Sequence, residues 1–171
     1  MDREAALDGF EVARGEWSNA LERVPDDALA YLKPGDDYAL GGLQVHVNWV
    51  LLHYRRVLEG IVARKFERLE PQDGPGEEAA SREAARQGLD GAGRRHALDE
   101  MAGHHEGVLR TLNKVSAADW DRKAPVVYVA GQEPYPTSPA DLIDWLTGHY
   151  REHVQQAADL TEEWRAAKAA G

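Results

Sequence analysis

An all-α fold, built as a four-helix bundle with a short extended excursion before its last helix, is what this sequence predicts. Three observations lead there. Apolar residues recur at three- and four-residue intervals over four stretches, the spacing that gathers them on one face of a helix. Turn-forming runs such as Lys33-Pro34-Gly35 and Pro71 to Gly76 interrupt those stretches. The segment richest in strand-forming residues, Val126-Val127-Tyr128-Val129, is short and stands alone.

The first helix is expected from about Asp2 to Arg23, where Leu7, Phe10, Trp17, Leu21 and Val24 share a face, and it ends before Pro25-Asp26-Asp27. Asp36 and Asp37 suit the start of the second helix, which is expected from about Tyr38 to Leu69. Its stripe is Leu43, Val47, Val50, Leu51, Tyr54, Leu58, Ile61 and Val62. From Glu77 to Arg95 the chain is helix-prone up to Gln87 and then broken by Gly88, Gly91 and Gly93, which reads as a short helix or a mobile connection. A third long helix follows over about Arg94 to Lys114, with Leu98, Met101, His105, Val108 and Leu112 inward. After the excursion, Ser138-Pro139-Ala140-Asp141 combines an N-cap serine, a proline at the first helical position and an acid two residues on. It starts a last helix that runs to about Ala167.

The 171 residues are expected to form one domain, residues 1–171, with 43% apolar and 29% charged residues. A formal net charge of −10 argues against nucleic acid as a partner, because such binders gather Lys and Arg into a patch. No apolar run has the length of a membrane span, and no secretory signal is visible at the N-terminus, so a cytoplasmic home is expected. The chain has no cysteine, which removes disulfides, thiolate ligands and any protein-borne thiol nucleophile.

On the last helix the apolar stripe runs Leu142, Trp145, Leu146, His149, His153, Ala157, Leu160 and Trp164, so two histidines four residues apart occupy core positions. Buried imidazoles need partners for both nitrogens. Hydrogen bonds to neighbouring helices would serve, and so would a metal ion, which neutral imidazole binds well. The run His149-Tyr150-Arg151-Glu152-His153 also matches the HxxEH motif of inverted zinc proteases, but too little chain follows to bring in that motif's third ligand, leaving Glu152 as a solvated or supporting carboxylate. For a three-ligand site His46, His53 and His105 all compete. His96 and His104 read as surface residues, and Trp17, Trp49, Trp145 and Trp164 as core.

Helix order, a histidine early in the second helix within Gly42-Leu43-Gln44-Val45-His46-Val47, and the run Asp141 to His153 together resemble the DinB/YfiT-like superfamily of metalloenzymes. The resemblance spans nearly the whole chain. It implies an up-down-down-up bundle in which His46 joins His149 and His153 around a divalent metal, commonly zinc or nickel, with His105, His53 and Glu152 as supporting or substrate-contacting residues. Two departures stand out: Tyr38 replaces a tryptophan common in the family, and the segment from Glu77 to Arg95 is long.

Several relatives of that kind are thiol S-transferases using bacillithiol or mycothiol, and others are isomerases. The resemblance therefore implies a transferase, expected as a homodimer, that activates a low-molecular-weight thiol cosubstrate against a small-molecule electrophile. A metal-dependent hydrolase and a non-catalytic ligand-binding bundle are the competing expectations. The family's name is tied to stress response, but the acidic charge argues against DNA chemistry here.

Overall fold

A computed structural model describes residues 2–170. Five α-helices dominate it: α1 (Arg3–Glu22), α2 (Gly42–Ala63), α3 (Glu77–Gln87), α4 (Gly91–Leu112) and α5 (Pro139–Ala170). Two short strands, β1 (Ala124–Val126) and β2 (Tyr135–Thr137), pair antiparallel with Val126 opposite Tyr135. This is the expected extended excursion. Among the described residues no helix is long and apolar enough to cross a membrane.

The four long helices pack as α1 on α5 and α2 on α4, with α2 also meeting α5, and α3 lies against α2. Phe10, Trp17 and Leu21 of α1, Leu43, Leu51 and Leu58 of α2, Met101 and Leu112 of α4, and Ile143 and Tyr150 of α5 fill the core. Each such side chain contributes about 1.5–3 kcal/mol on leaving water.

Local chemistry sets most helix starts. Asp2 accepts from the Ala5 N–H at 2.9 Å and caps α1. Ser138 and Asp141 bond reciprocally, each side chain accepting from the other's N–H at 3.2 and 2.7 Å, a capping box that fixes α5.

Of the two readings for the segment after Glu77, the short helix is the one found, over residues 77–87. One expectation is corrected. The second helix begins at Gly42, several residues after Asp36 and Asp37, and its cap position, Gly41, offers no side chain. The reason is the approach of α3: the Ala39 N–H donates to the Ala85 carbonyl at 3.0 Å. A Cβ at residue 42 would lie 1.7 Å from that same oxygen. Glycine is therefore required where the end of α3 meets the start of α2, one turn before His46.

At its other end α2 stops through two residues in the left-handed region, Lys65 and Phe66, with φ of 54° and 66°. The chain turns back, and Leu69 bonds to Pro125 and Val127 at 3.0 and 2.8 Å. That return brings Asp73 alongside α2.

Candidate metal centre

The early turns of α2 and the middle of α5 bring three histidines together. His46, His149 and His153 each offer a ring nitrogen, and these atoms all lie within 4.8 Å of one another. His149 and His153 sit one turn apart on α5, and their Nε2 atoms are 3.1 Å apart. His46 meets both edge-on, with ring centroids 5.0 and 5.3 Å away.

Further partners orient these rings. Tyr38 stacks on His46 at a centroid distance of 4.6 Å. The Nδ1–H of His153 donates to Gln156 Oε1 at 2.7 Å, which leaves the lone pair of its Nε2 directed at His149. Trp17 lies beneath His153 and heads a buried chain: its Nε1–H donates to Gln44 (2.8 Å), Gln44 to Asn48 (2.7 Å), and Asn48 to the Ala97 carbonyl (2.9 Å). The floor of the cluster is thereby tied to α1, α2 and α4.

Electrostatics keep the three rings neutral. Burial, with repulsion from His153 next, brings His46 down to about 4, and burial brings His149 down to about 3. Burial also lowers His153, against the opposing pull of Gln156 and Glu152. Neutral imidazoles are the form that ligates metal. Zinc–nitrogen bonds of about 2.0–2.1 Å place two ligand nitrogens about 3.0–3.4 Å apart, which the 3.1 Å separation of His149 and His153 matches. The donor set therefore fits a divalent ion, with His46 closing from the third side.

A family-level comparison agrees with this geometry. The sequence model of the DinB superfamily matches residues 9–157, which includes every residue of the cluster. The chain belongs to the DinB superfamily. No curated protein matches it. Within this DinB protein, the matched span runs from α1 into α5 and excludes only the ends of the outer helices.

Two cavities flank the α2 ridge formed by Trp49, Val50, His53 and Tyr54. One, of about 410 Å³, carries His46; the other, of about 490 Å³, carries His149 and Glu152. His53 faces both, and its Nδ1 pairs with Asp73 in a hydrogen bond. Glu152 lies exposed at the rim of the second cavity.

His105 is placed apart from the cluster, against the expectation that it shares the cavity. It is buried, stacked on Phe10 at 3.9 Å, and bonded to Tyr150 (3.2 Å) and Glu11 (3.0 Å). Tyr150 follows His149 by about 100° around α5, so it faces α1 and α4 instead of the cluster. His104 is half-buried, not a free surface residue, and burial lowers its pKa. Of the four tryptophans read as core, Trp17 is buried, whereas Trp49 and Trp145 line the cavity beside His149.

Sequence reasoning passed over Gln156, Gln44, Asn48 and Asp73. Gln156 had a usable signal, since it lies three residues after His153 on the same helix. Asp73 had none, because it reaches α2 only through the turn after Phe66.

Proposed function

We propose that this chain is a divalent-metal-dependent enzyme that holds its ion on His46, His149 and His153 and transfers a low-molecular-weight thiol to a small electrophile. The observation that carries the reading is the convergence of three neutral imidazoles beside two cavities, with the Nε2 atoms of His149 and His153 3.1 Å apart. An all-nitrogen donor set suits zinc or nickel. When bound, such an ion supplies a Lewis acid that brings the pKa of a coordinated thiol or water towards neutrality.

The protein's own groups do the remaining work. Gln156 fixes the tautomer of His153, and Tyr38 holds the plane of His46. Trp49, Tyr54 and Trp145 give the second cavity aromatic walls that suit an apolar substrate. With no cysteine in the chain, the sulfur nucleophile comes as a cosubstrate such as bacillithiol or mycothiol.

The test is metal analysis of protein purified without a histidine tag, beside His46→Ala, His149→Ala and His153→Ala, followed by a screen of thiols and electrophiles. Near-stoichiometric zinc or nickel, lost in all three variants, with turnover that needs added thiol, is the expected result. Metal-dependent turnover without thiol would make the protein a hydrolase. Wild-type protein that takes up no metal would remove the enzyme reading.

A further inference from the structure

The thiol-transfer reading leaves His53 unused, although it lines both cavities. Its Nδ1 is taken by Asp73, whose other carboxylate oxygen accepts from Arg56 at 3.3 Å. Among the described residues nothing bonds its Nε2. The ring is held between Trp49, Tyr54 and Tyr128, whose nearest centroid is 4.8 Å away. A histidine with one nitrogen on a carboxylate and the other open to a cavity is arranged to move a proton.

Its position on α2 narrows the role. His53 follows His46 by seven residues, two turns, or about 10 Å along the axis. Among the described residues its ring meets Trp49, Tyr54 and Tyr128 and no ring of the histidine cluster, so it stands apart from a nucleophile seated there. It suits the opposite end of the reaction. In-line displacement puts nucleophile and leaving atom on opposite sides of the attacked carbon, so a proton donor two turns from the cluster stands on the leaving-group side.

We propose that His53, oriented by Asp73, is the general acid of thiol transfer, and that the electrophile is an apolar compound whose leaving atom is an oxygen that must be protonated, of the epoxide class. The proposal rests on the thiol-transfer reading. In the step, the C–S bond forms and the C–O bond breaks, its electron pair passing to oxygen. That oxygen takes the Nε2 proton of the His53 imidazolium, whose charge Asp73 balances. The thiol's own proton leaves to solvent, and His53 is reprotonated from solvent. The net result is addition of S–H across the C–O bond. Trp49, Tyr54 and Trp145 would hold the apolar substituent.

The test uses the full chain loaded with zinc, mercaptoethanol as thiol, and two electrophiles of similar shape, styrene oxide and benzyl chloride. Only the first has a leaving atom that needs a proton. His53→Gln should lower the ratio of the epoxide rate to the chloride rate by about a hundredfold, and Asp73→Asn should lower it by less. A purely structural pair would slow both reactions together; an unchanged ratio overturns the role of His53 while leaving thiol transfer standing. Turnover of the chloride alone by wild type also overturns it. Absence of thiol-dependent turnover with either electrophile removes the thiol-transfer reading and this role with it. A second readout needs no metal. Proton–nitrogen correlation NMR of wild type should show neutral His53 protonated at Nδ1, moving towards the Nε2-protonated tautomer in Asp73→Asn. An Nε2-protonated His53 in wild type overturns the proposal.

Discussion

Tyr38 lies flat on the ring of His46, with centroids 4.6 Å apart and planes 21° from parallel. His46 is half-buried, and its other ring contacts among the described residues are His149 and His153 themselves. The stack is therefore what sets the plane of the one cluster member that α5 does not supply. Tyr38→Ala should weaken zinc affinity about tenfold, the lower end of what the loss of an orienting partner costs. Tyr38→Trp, which keeps an aromatic face for the ring to stack on, should keep it. Competition against a chromophoric chelator measures both; equal affinity in wild type and Tyr38→Ala would show that the stack does not position His46.

Gln156 acts on the neighbouring ligand. Its Oε1 accepts from the Nδ1–H of His153 at 2.7 Å and so presents the Nε2 lone pair to the cluster. Gln156→Leu removes the acceptor at similar volume, and zinc affinity should fall by roughly 10–100-fold. Gln156→Glu keeps an acceptor and adds charge, so affinity should hold or rise. Should both substitutions weaken binding alike, the tautomer argument fails.

Much of this was legible in the chain, and the failures have physical causes. The long helices and the hairpin could be read because apolar spacing reports which face is buried. His149 and His153 stood out because imidazoles on a core stripe need partners. His46 could be chosen over His53 only by resemblance, since both lie on nearly the same line of α2. The misplacement of His105 has the same root. Periodicity correctly gave it an inward direction, but Phe10, Glu11 and Tyr150 decide which part of the interior it meets. The late start of α2 was hidden because the carbonyl of Ala85, far along the chain, sets it.

That contact gives a third prediction. Gly42→Ala drives a Cβ into the Ala85 carbonyl, a backbone atom that cannot swing aside. The cost should fall in the upper part of the roughly 1–3 kcal/mol range for overpacking. Because α3 must back away from the turn that precedes His46, zinc affinity should drop as well. Gly148→Ala, where no atom lies within 4 Å of the added carbon, is the control and should unfold at or above the wild-type denaturant midpoint, since alanine favours the helix. Equal midpoints for the two variants would contradict the packing argument.

Acid should destabilise the metal-free protein, and the sign follows from five histidines. Burial lowers His46, His104, His105, His149 and His153 below their ordinary value of 6.5. The unfolded chain therefore binds more protons than the folded one below about 6.5. The stability these groups contribute is fully present above that pH. It is lost as pH falls towards the folded values, about 4 for His46 and about 3 for His149. Each histidine that must stay neutral adds up to about 1.4 kcal/mol per pH unit to the slope. Urea midpoints measured from pH 7.5 down to 4.5 should fall steadily. His149→Leu should flatten that slope, and a slope unchanged in this variant would mean that His149 already carries its proton in the folded state.

Metal should act on the same equilibrium from the other side. A ligand that binds the folded chain and not the unfolded one stabilises by about 2.7 kcal/mol at a hundredfold excess over its dissociation constant. Zinc should therefore raise the thermal midpoint of wild type and add nothing to His46→Ala, His149→Ala or His153→Ala. The metal-free variants discriminate further. His149 and His153 bring two desolvated rings to 3.1 Å, an arrangement that serves the folded apoprotein poorly. His149→Leu should leave the metal-free protein at least as stable as wild type while abolishing the zinc response, since a cluster built for binding is held against local stability. A metal-free His149→Leu that unfolds well below wild type, with zinc still raising its midpoint, would show instead that His149 is a packing residue and that the ion is held elsewhere.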